Sequence, residues 1–318
     1  MKEFELIEKI KQLSKNFNKT SNINIGDDCA VLKNLSDKKD ILVTTDILVE
    51  NIHFSLKYYS FYDVGYKSAQ VNISDIICKG AFPKSVFVSL SIPKNITEEN
   101  ILKWYEGFLD ACKPLSIEIA GGDTTSSNND FFISITLIGE IEKDKAILRS
   151  TAKDNDNIYV LGIVGESDLG LKKLLSGNYS YDDESVKTHL RPKLFFNEWQ
   201  EIIKKYKINS SIDISDGLLQ DLSHIAEKSN LYAKVFEDSN WHKVNRFFND
   251  NNNKEVLNSI LTGGEDYAVL FTTQYNIEEK DNLIKIGKIT SLKEDNRVSF
   301  IDKNNKTVNF KYTGYTHI

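Results

Sequence analysis

Acidic residues in this chain gather in short turns of glycine, serine and threonine, several of them directly after an apolar run. Five such motifs are Gly26-Asp27-Asp28, Thr44-Thr45-Asp46, Ser74-Asp75, Gly121-Gly122-Asp123-Thr124-Thr125 and Asp213-Ile214-Ser215-Asp216-Gly217. A sixth, Gly263-Gly264-Glu265-Asp266, follows an apolar helical pattern and precedes a strand pattern. Each alone has an ordinary explanation. Asp after Gly is common turn chemistry. Ser215 is a reasonable N-cap for the helix after it, and Asn72 and Asp75 share a helix face as hydrogen-bonded pairs do. Brought together, the same groups are costly. Two carboxylates about 4 Å apart repel by roughly 1 kcal/mol in water and about 4 kcal/mol at an effective dielectric of 20. A converging cluster therefore needs cations. Oxygen ligands from Asp and Thr suit Mg2+ better than zinc, and Mg2+ binds through a few carboxylates plus substrate phosphates. Convergence thus implies a polyphosphate ligand.

The widespread phosphate and metal motifs are missing. There is no GxxxxGK[ST], no GxGxxG after a strand, no HRD/DFG pair and no HExxH. The five histidines are scattered, and His53, the only one beside a carboxylate motif, reads by itself as structural. Cys29, Cys78 and Cys112 are odd in number and form no CxxC pair, so neither a disulfide framework nor a zinc site is indicated. Cys29 reads as a small buried apolar residue.

These groups must be positioned by an ordinary globular chain. Its 318 residues favour two domains, and 40% hydrophobic residues suffice for a core. A formal charge of -6 and the absence of a basic stripe argue against a nucleic-acid partner. No run approaches a membrane span, and the N-terminus, with Phe4, Ile7, Ile10 and Leu13 at helical spacing, is no signal peptide. A cytoplasmic protein is expected.

Strand-type runs alternate with helical patterns, an α/β arrangement. In the first half the strand candidates are 41–44, 85–92, 117–120 and 131–141. A helix is expected over 60–79, capped by Ser60 and stopped at Gly80. A second runs over 97–112 with Ile101, Tyr105, Phe108 and Cys112 on one face. The charged segment 142–157 is the expected boundary, giving domains 1–141 and 142–318. Beyond it, strands are expected at 158–164, 211–214, 231–236, 267–272, 284–289 and 298–301, with helices near 168–175, 193–206 and 216–227.

GDDCAVL, TTDILVENIHF, VNISDIICKGAFP, GGDTT, LRSTAKDND, DISDGLLQDL, TGGEDYAVLFT and TGYTHI stand in this order along nearly the whole chain. In them the sequence resembles the thiamine-monophosphate kinase family. The resemblance implies a two-domain, α+β type of α/β fold like that of aminoimidazole ribonucleotide synthetase, with the N-terminal sheets of two subunits pairing in a homodimer. It implies transfer of a phosphoryl group from ATP to thiamine monophosphate, with several Mg2+ ions. Carried over residue by residue, Asp28, Thr44, Thr45, Asp46, Asp75, Asp123, Asp213 and Asp216 would be Mg2+ ligands. Tyr105, Gly122, Asp123, Arg149 and Ser215 would contact ATP, and His53, Glu265 and Tyr315 would line the substrate pocket. The chemistry would rest on Asp46, Asp75, Asp123 and Arg149. The chain departs from the family at Cys78-Lys79, where Ala-Met is usual, at Ala268 and at Ile318.

Direct in-line attack by a phosphate oxygen needs positioning and charge neutralisation rather than a covalent acceptor. Two other readings stay open at this level: another ATP-dependent enzyme of the same superfamily, of selenophosphate or purine-ribonucleotide synthetase type, and a non-catalytic nucleotide-binding regulator.

Overall fold

The computed structural model describes residues 3–14, 25–33, 35, 37–237, 239–249, 253–293 and 295–308. Its first half runs α1 (Glu3–Ser14), β1 (Ala30–Leu32), β2 (Lys39–Val49), α2 (Phe61–Cys78), β3 (Phe82–Pro93), α3 (Glu98–Cys112), β4 (Glu118–Ser127) and β5 (Phe132–Glu142). The second runs β6 (Asn157–Leu161), α4 (Glu166–Ser176), α5 (Glu184–Leu190), α6 (Phe196–Lys205), β7 (Ser210–Asp213), α7 (Leu218–Lys228), β8 (Tyr232–Phe236), α8 (Asn253–Thr262), β9 (Val269–Thr273), β10 (Leu283–Thr290), β11 (Val298–Ile301) and β12 (Thr307–Val308). The strands form two sheets, β1-β2-β5-β3-β4 and β12-β11-β8-β10-β6-β9-β7. Both are mixed, parallel only where β3 meets β4 and where β8 meets β11.

The expected elements recur with revised ends. Strand β2 continues five residues past the apolar run 41–44, because it pairs with β5 without a break from Lys39↔Glu142 to Val49↔Phe132. Thr44-Thr45-Asp46 therefore lies inside a strand, and Gly121–Thr125 lies inside β4. Ladder hydrogen bonds, which carry no side-chain signature, decide this. The helix α5 was not expected; at seven residues it is too short to show a period.

Helices α2 and α3 cover one face of the first sheet. Each begins with a reciprocal capping box, Ser60 with Asp63 and Thr97 with Asn100. They cross with their backbones in contact at Gly65 and Gly107. A Cβ on Gly65 would lie 1.9 Å from the Trp104 carbonyl oxygen, and one on Gly107 1.9 Å from that of Tyr62. The other face of this sheet is open. Ile47 and Phe87 are exposed on it, and the edge strand β4 is exposed along nearly its whole length.

The second sheet is covered on both faces, which explains why β6 and β9 are buried at every residue. On one side α6 contributes Trp199 against Phe271 and Tyr159; on the other α7 and α8 supply Leu222, Ile225 and Ile260. The two halves meet along α2. The Trp199 indole donates to the Ile77 carbonyl (2.7 Å) and the Ser211 hydroxyl to that of Cys78 (2.6 Å). Among the described residues no helix is long and apolar enough to cross a membrane.

Either Gly65→Ala or Gly107→Ala forces the crossing apart. Overpacking of this kind costs about 1–3 kcal/mol, so each variant should show a clearly lowered urea midpoint. An unchanged midpoint would mean that the helices do not touch there.

Candidate active site

The period of a β-strand sorts the Thr-Thr-Asp motif onto two faces. Leu42, Thr44, Asp46 and Leu48 face α2, whereas Thr45 and Ile47 face the open side. Thr44 is buried and donates through Oγ1 to Asp75 Oδ2 (2.5 Å). The Thr45 hydroxyl is engaged elsewhere, on the Ile135 carbonyl and the Thr136 hydroxyl, both at 3.0 Å. Next to Asp75 on α2, Ser74 donates to Asp213 Oδ2 (2.6 Å) at the end of β7. Asp46, Asp75 and Asp213 are thus drawn together from both halves of the chain. Burial raises Asp75 well above the usual carboxylate range, and the charges of Asp46 and Asp213 add to it. Burial and the negative charge of Asp28 push Asp213 up to about 7, against the Ser74 hydrogen bond. The thiols of Cys29 and Cys78 both donate to the Asp75 carbonyl (3.3 and 3.2 Å) and are buried, as expected of Cys29.

Beside this group the charges are balanced. The fully buried Lys79 caps the C-terminus of α2, and its Nζ lies 2.8 Å from Asp27 Oδ1, against Asp28 Oδ2, and 2.7 Å from the Ser211 carbonyl. Arg149 reaches Asp28 Oδ1 with Nε (3.0 Å) and Nη2, and its backbone N–H donates to Asp27 Oδ2 (3.0 Å). Burial would raise the pKa of Asp28, but Lys79 and Arg149 outweigh it and hold the carboxyl well below its ordinary value.

The Asp213–Gly217 loop is shaped by a residue outside it. Asp221, buried in the first turns of α7, accepts from the backbone N–H groups of Ser215, Asp216 and Gly217, each at 3.1 Å. Gly217, not Ser215, occupies the N-cap position, with no side-chain cap of its own. The carboxylate of Asp221 has taken over the capping task, satisfying loop donors that Ser215 would otherwise serve. The Gly263–Asp266 turn stacks on this loop. Glu265 N–H donates to Ser215 O (2.7 Å) and Tyr267 N–H to Ile214 O (2.8 Å), and a Cβ on Gly264 would sit 2.5 Å from Ser215 O. Glu265 and Tyr267 both have positive φ, 62° and 53°. Such strain persists only where surroundings enforce it, and it is commonest at functional sites.

Glu265 faces a second buried lysine. Lys67 Nζ contacts Glu265 Oε1 (2.9 Å) and donates to the Tyr59 hydroxyl (2.7 Å). Burial lowers the pKa of Lys67, opposed by Glu265. His189 lies 3.6 Å from Glu265 and 3.0 Å from Ser167 Oγ; burial and the Lys67 charge push it down to about 3, so it is neutral. His53 Nδ1 accepts from Val49 N–H (3.0 Å), which places its proton on Nε2 in the neutral form. A cavity of about 1290 Å³ takes in all of these: Asp28, Thr44, Asp46, Asp75, Arg149, Asp213, Ser215 and Asp216, and also His53, Tyr58, His189 and Glu265.

Three expected residues lie apart from it. Gly122 and Asp123 are on the exposed edge strand β4, and Asp123 shares a row with Ser89, Ser134 and Ile47. Three strand spacings of about 4.8 Å put it roughly 14 Å from Ile47. Tyr105 is half-buried on α3, edge-on to Trp104 (4.9 Å). Tyr315 lies outside the described residues. Conversely, Lys67, Lys79, His189 and Asp221 were not singled out for the site, and Asp27 only as a member of the Gly26-Asp27-Asp28 turn. A signal existed for the lysines: each stands among small or apolar residues, in Tyr66-Lys67-Ser68-Ala69 and Ile77-Cys78-Lys79-Gly80, where a charge needs a partner.

The chain resembles known proteins over its full length. Residues 26–141 match the family described as AIR synthase related protein, N-terminal domain. The thiamine-monophosphate kinase of Haemophilus influenzae is 34% identical over 330 residues, covering 100% of this chain and 98% of that protein. That of Bacillus subtilis is 34% identical over 336 residues, covering 100% and 99%. A solved structure of AaThiL complexed with AMPPCP and TMP superposes with a TM-score of 0.81 at 31% identity, over 100% of this chain and 97% of that one.

The raised pKa of Asp213 has a measurable consequence. Its value of about 7 in the folded chain exceeds the ordinary 3.8, so the folded state holds this proton more tightly. The associated stability is complete below about pH 4 and is lost as pH rises through about 7. Without divalent cations, the Tm should fall between about pH 5 and pH 8, and Asp213→Asn should flatten that slope. A wild-type Tm that rises over this interval would contradict the assignment.

Proposed function

The chain belongs to the thiamine-monophosphate kinase family, and on that premise we propose that its cavity is where ATP and thiamine monophosphate meet. The enzyme transfers the γ-phosphoryl group of ATP to thiamine monophosphate, giving ADP and thiamine diphosphate. The observation that carries the reading is the meeting of Asp46, Asp75 and Asp213 in one cavity with the Glu265 wall, where the charges of Asp46 and Asp213 add to the rise of Asp75 and that of Asp46 adds to the rise of Asp213. Carboxylates that repel in this way, with Thr44 as their hydroxyl neighbour, fit an oxygen-preferring dication. Asp46, Asp75, Asp213 and Thr44 would hold Mg2+, with Asp216 beside them in the loop. When bound, Mg2+ supplies the positive charge that screens the triphosphate from the second anionic substrate.

The residues of the chain supply position. Arg149 is fixed by Asp28 through Nε and Nη2, so its guanidinium would meet the phosphates with little further loss of side-chain freedom. The Ser215 segment is set by Asp221 and by the turn stacked on it. The phosphate of the acceptor is ionised near neutral pH, so no general base is needed, and attack is direct and in line. His53 and Glu265 would line the thiamine end of the cavity. There the carboxylate of Glu265, already held by Lys67, offers negative charge to the thiazolium cation.

The same proposal includes a division at 141/142 into an N-terminal nucleotide and dimerisation domain and a C-terminal domain that completes the site. A second copy would cover the open face of the first sheet. The exposed Ile47 and Phe87, and the unpaired edge of β4, favour that partner, since long exposed edges are normally covered. Gly122 and Asp123 lie on that edge and would be brought into play by the pairing.

Incubation with ATP, Mg2+ and a panel of thiamine monophosphate, thiamine, formylglycinamidine ribonucleotide and selenide, followed by mass spectrometry, tests the reaction. Thiamine diphosphate and ADP should appear only from thiamine monophosphate and only with the divalent cation. Turnover of another panel member in its place would sink the proposal. Asp75→Asn should fold normally and lose about 100-fold or more in kcat. Phe87→Asp should shift the protein to a monomer in light scattering; a dimer that survives it would place the interface elsewhere.

A further inference from the structure

Two oxygens of Asp28 meet two cations of the chain itself. Oδ1 takes Arg149, and Oδ2 takes the Lys79 ammonium, which also contacts Asp27 Oδ1 at 2.8 Å and donates to the Ser211 carbonyl at 2.7 Å. Three oxygens thus lie around the ammonium, the Ser211 carbonyl as its hydrogen-bond acceptor and the two carboxylates as its ion-pair partners, on a side chain only 1% exposed. The arrangement is built from four separate parts of the chain: the Asp27-Asp28 turn, the end of α2, the start of the second half at Arg149, and β7. Burying a lysine so completely is tolerated only when it is paired and hydrogen-bonded. Here its partners are acidic residues on the wall of the same cavity that Asp46, Asp75 and Asp213 line.

We propose that the Lys79 ammonium is a built-in cation that fills one cation position of the acidic cluster, so that Asp27 and Asp28 are neutralised by the chain and not by a metal ion. This rests on reading the cluster as a divalent-cation site and deepens that reading by dividing it. Divalent cations are confined to the Asp46, Asp75 and Asp213 side, while the Asp27–Asp28 side serves to fix Arg149. An ammonium supplies one positive charge in a compact, strongly hydrated group, and it cannot dissociate from the site. The Asp28 side of the cavity therefore keeps its charge balance at any metal concentration.

The test counts ions as well as turnover. Free Mn2+ is followed by electron paramagnetic resonance during titration of the wild type, Lys79→Met, and Lys79→Met/Asp28→Asn, each with a nonhydrolysable ATP analogue present. Lys79→Met removes the charge from an unbranched side chain. It should take up about one further Mn2+ per chain, and its Tm should depend more steeply on Mg2+ than that of the wild type. The double variant should return to the wild-type count. Equal counts for Lys79→Met and the wild type would overturn the proposal. Should Lys79→Met fail to fold even with Mn2+, Asp28→Asn alone decides: an unchanged count supports the built-in cation, and loss of an ion overturns it. A wild-type protein that binds Mn2+ as expected but leaves thiamine monophosphate untouched would remove the kinase reading and leave this one standing.

Discussion

Mutual repulsion among buried carboxylates is the constraint around which this molecule is arranged. Four acidic groups, Asp28, Asp46, Asp75 and Asp213, come from four elements and face one cavity. In low-dielectric surroundings their repulsion would drive the halves of the chain apart unless it were opposed. The opposition is uneven. Asp28 is held ionised by Lys79 and Arg149, while Asp75 and Asp213 are pushed up by burial and by their acidic neighbours. The cavity is thus polarised before any ligand enters it, with a settled side that anchors Arg149 and an unsettled side where acidic neighbours and burial raise Asp75 and Asp213.

Helix α2 is the common wall of both arrangements, and its two buried lysines illustrate how count decides charge. Lys79 faces two carboxylates, which outweigh the cost of burial and raise its pKa. Lys67 faces one, Glu265, and there burial prevails and its pKa falls. The same residue type is thereby a fixed cation where it caps the helix and a more weakly held one inside it. The difference matters because Lys67 touches Glu265 on the substrate side, where the cationic acceptor is proposed to sit.

The second half contributes chiefly by constraint of backbone. Asp221 gathers three N–H groups of the Asp213–Gly217 loop, and the Gly263–Asp266 turn presses on the same loop at the expense of two strained residues, Glu265 and Tyr267. In the proposed reaction, loop rigidity of this kind would stand in for the glycine-rich phosphate motifs missing from the sequence. Transfer between two phosphates asks for fixed positions more than for reactive side chains, and the molecule supplies position through buried acids acting on main chain.

The sequence by itself determined a good deal. Alternation of strand and helix patterns, the Ser60 cap and the acidic turns are local features, and local propensity and spacing are written in adjacent residues. The motif series fixed the family, because many short matches in a conserved order are improbable by chance. The tertiary structure decided what adjacent residues cannot. Thr44 and Thr45 are neighbours with the same side chain, yet the pleat sends one to Asp75 and the other to Thr136 on the open face. Ser215 looked like a cap, but Asp221, six positions on, took the loop donors. Lys79 stood out in the sequence only as a departure from the family, and it proved to be an ion-pair partner of Asp27 and Asp28, about fifty residues away in sequence. Long-range pairing and burial set the charge a group carries, and neither is a property of the residues beside it.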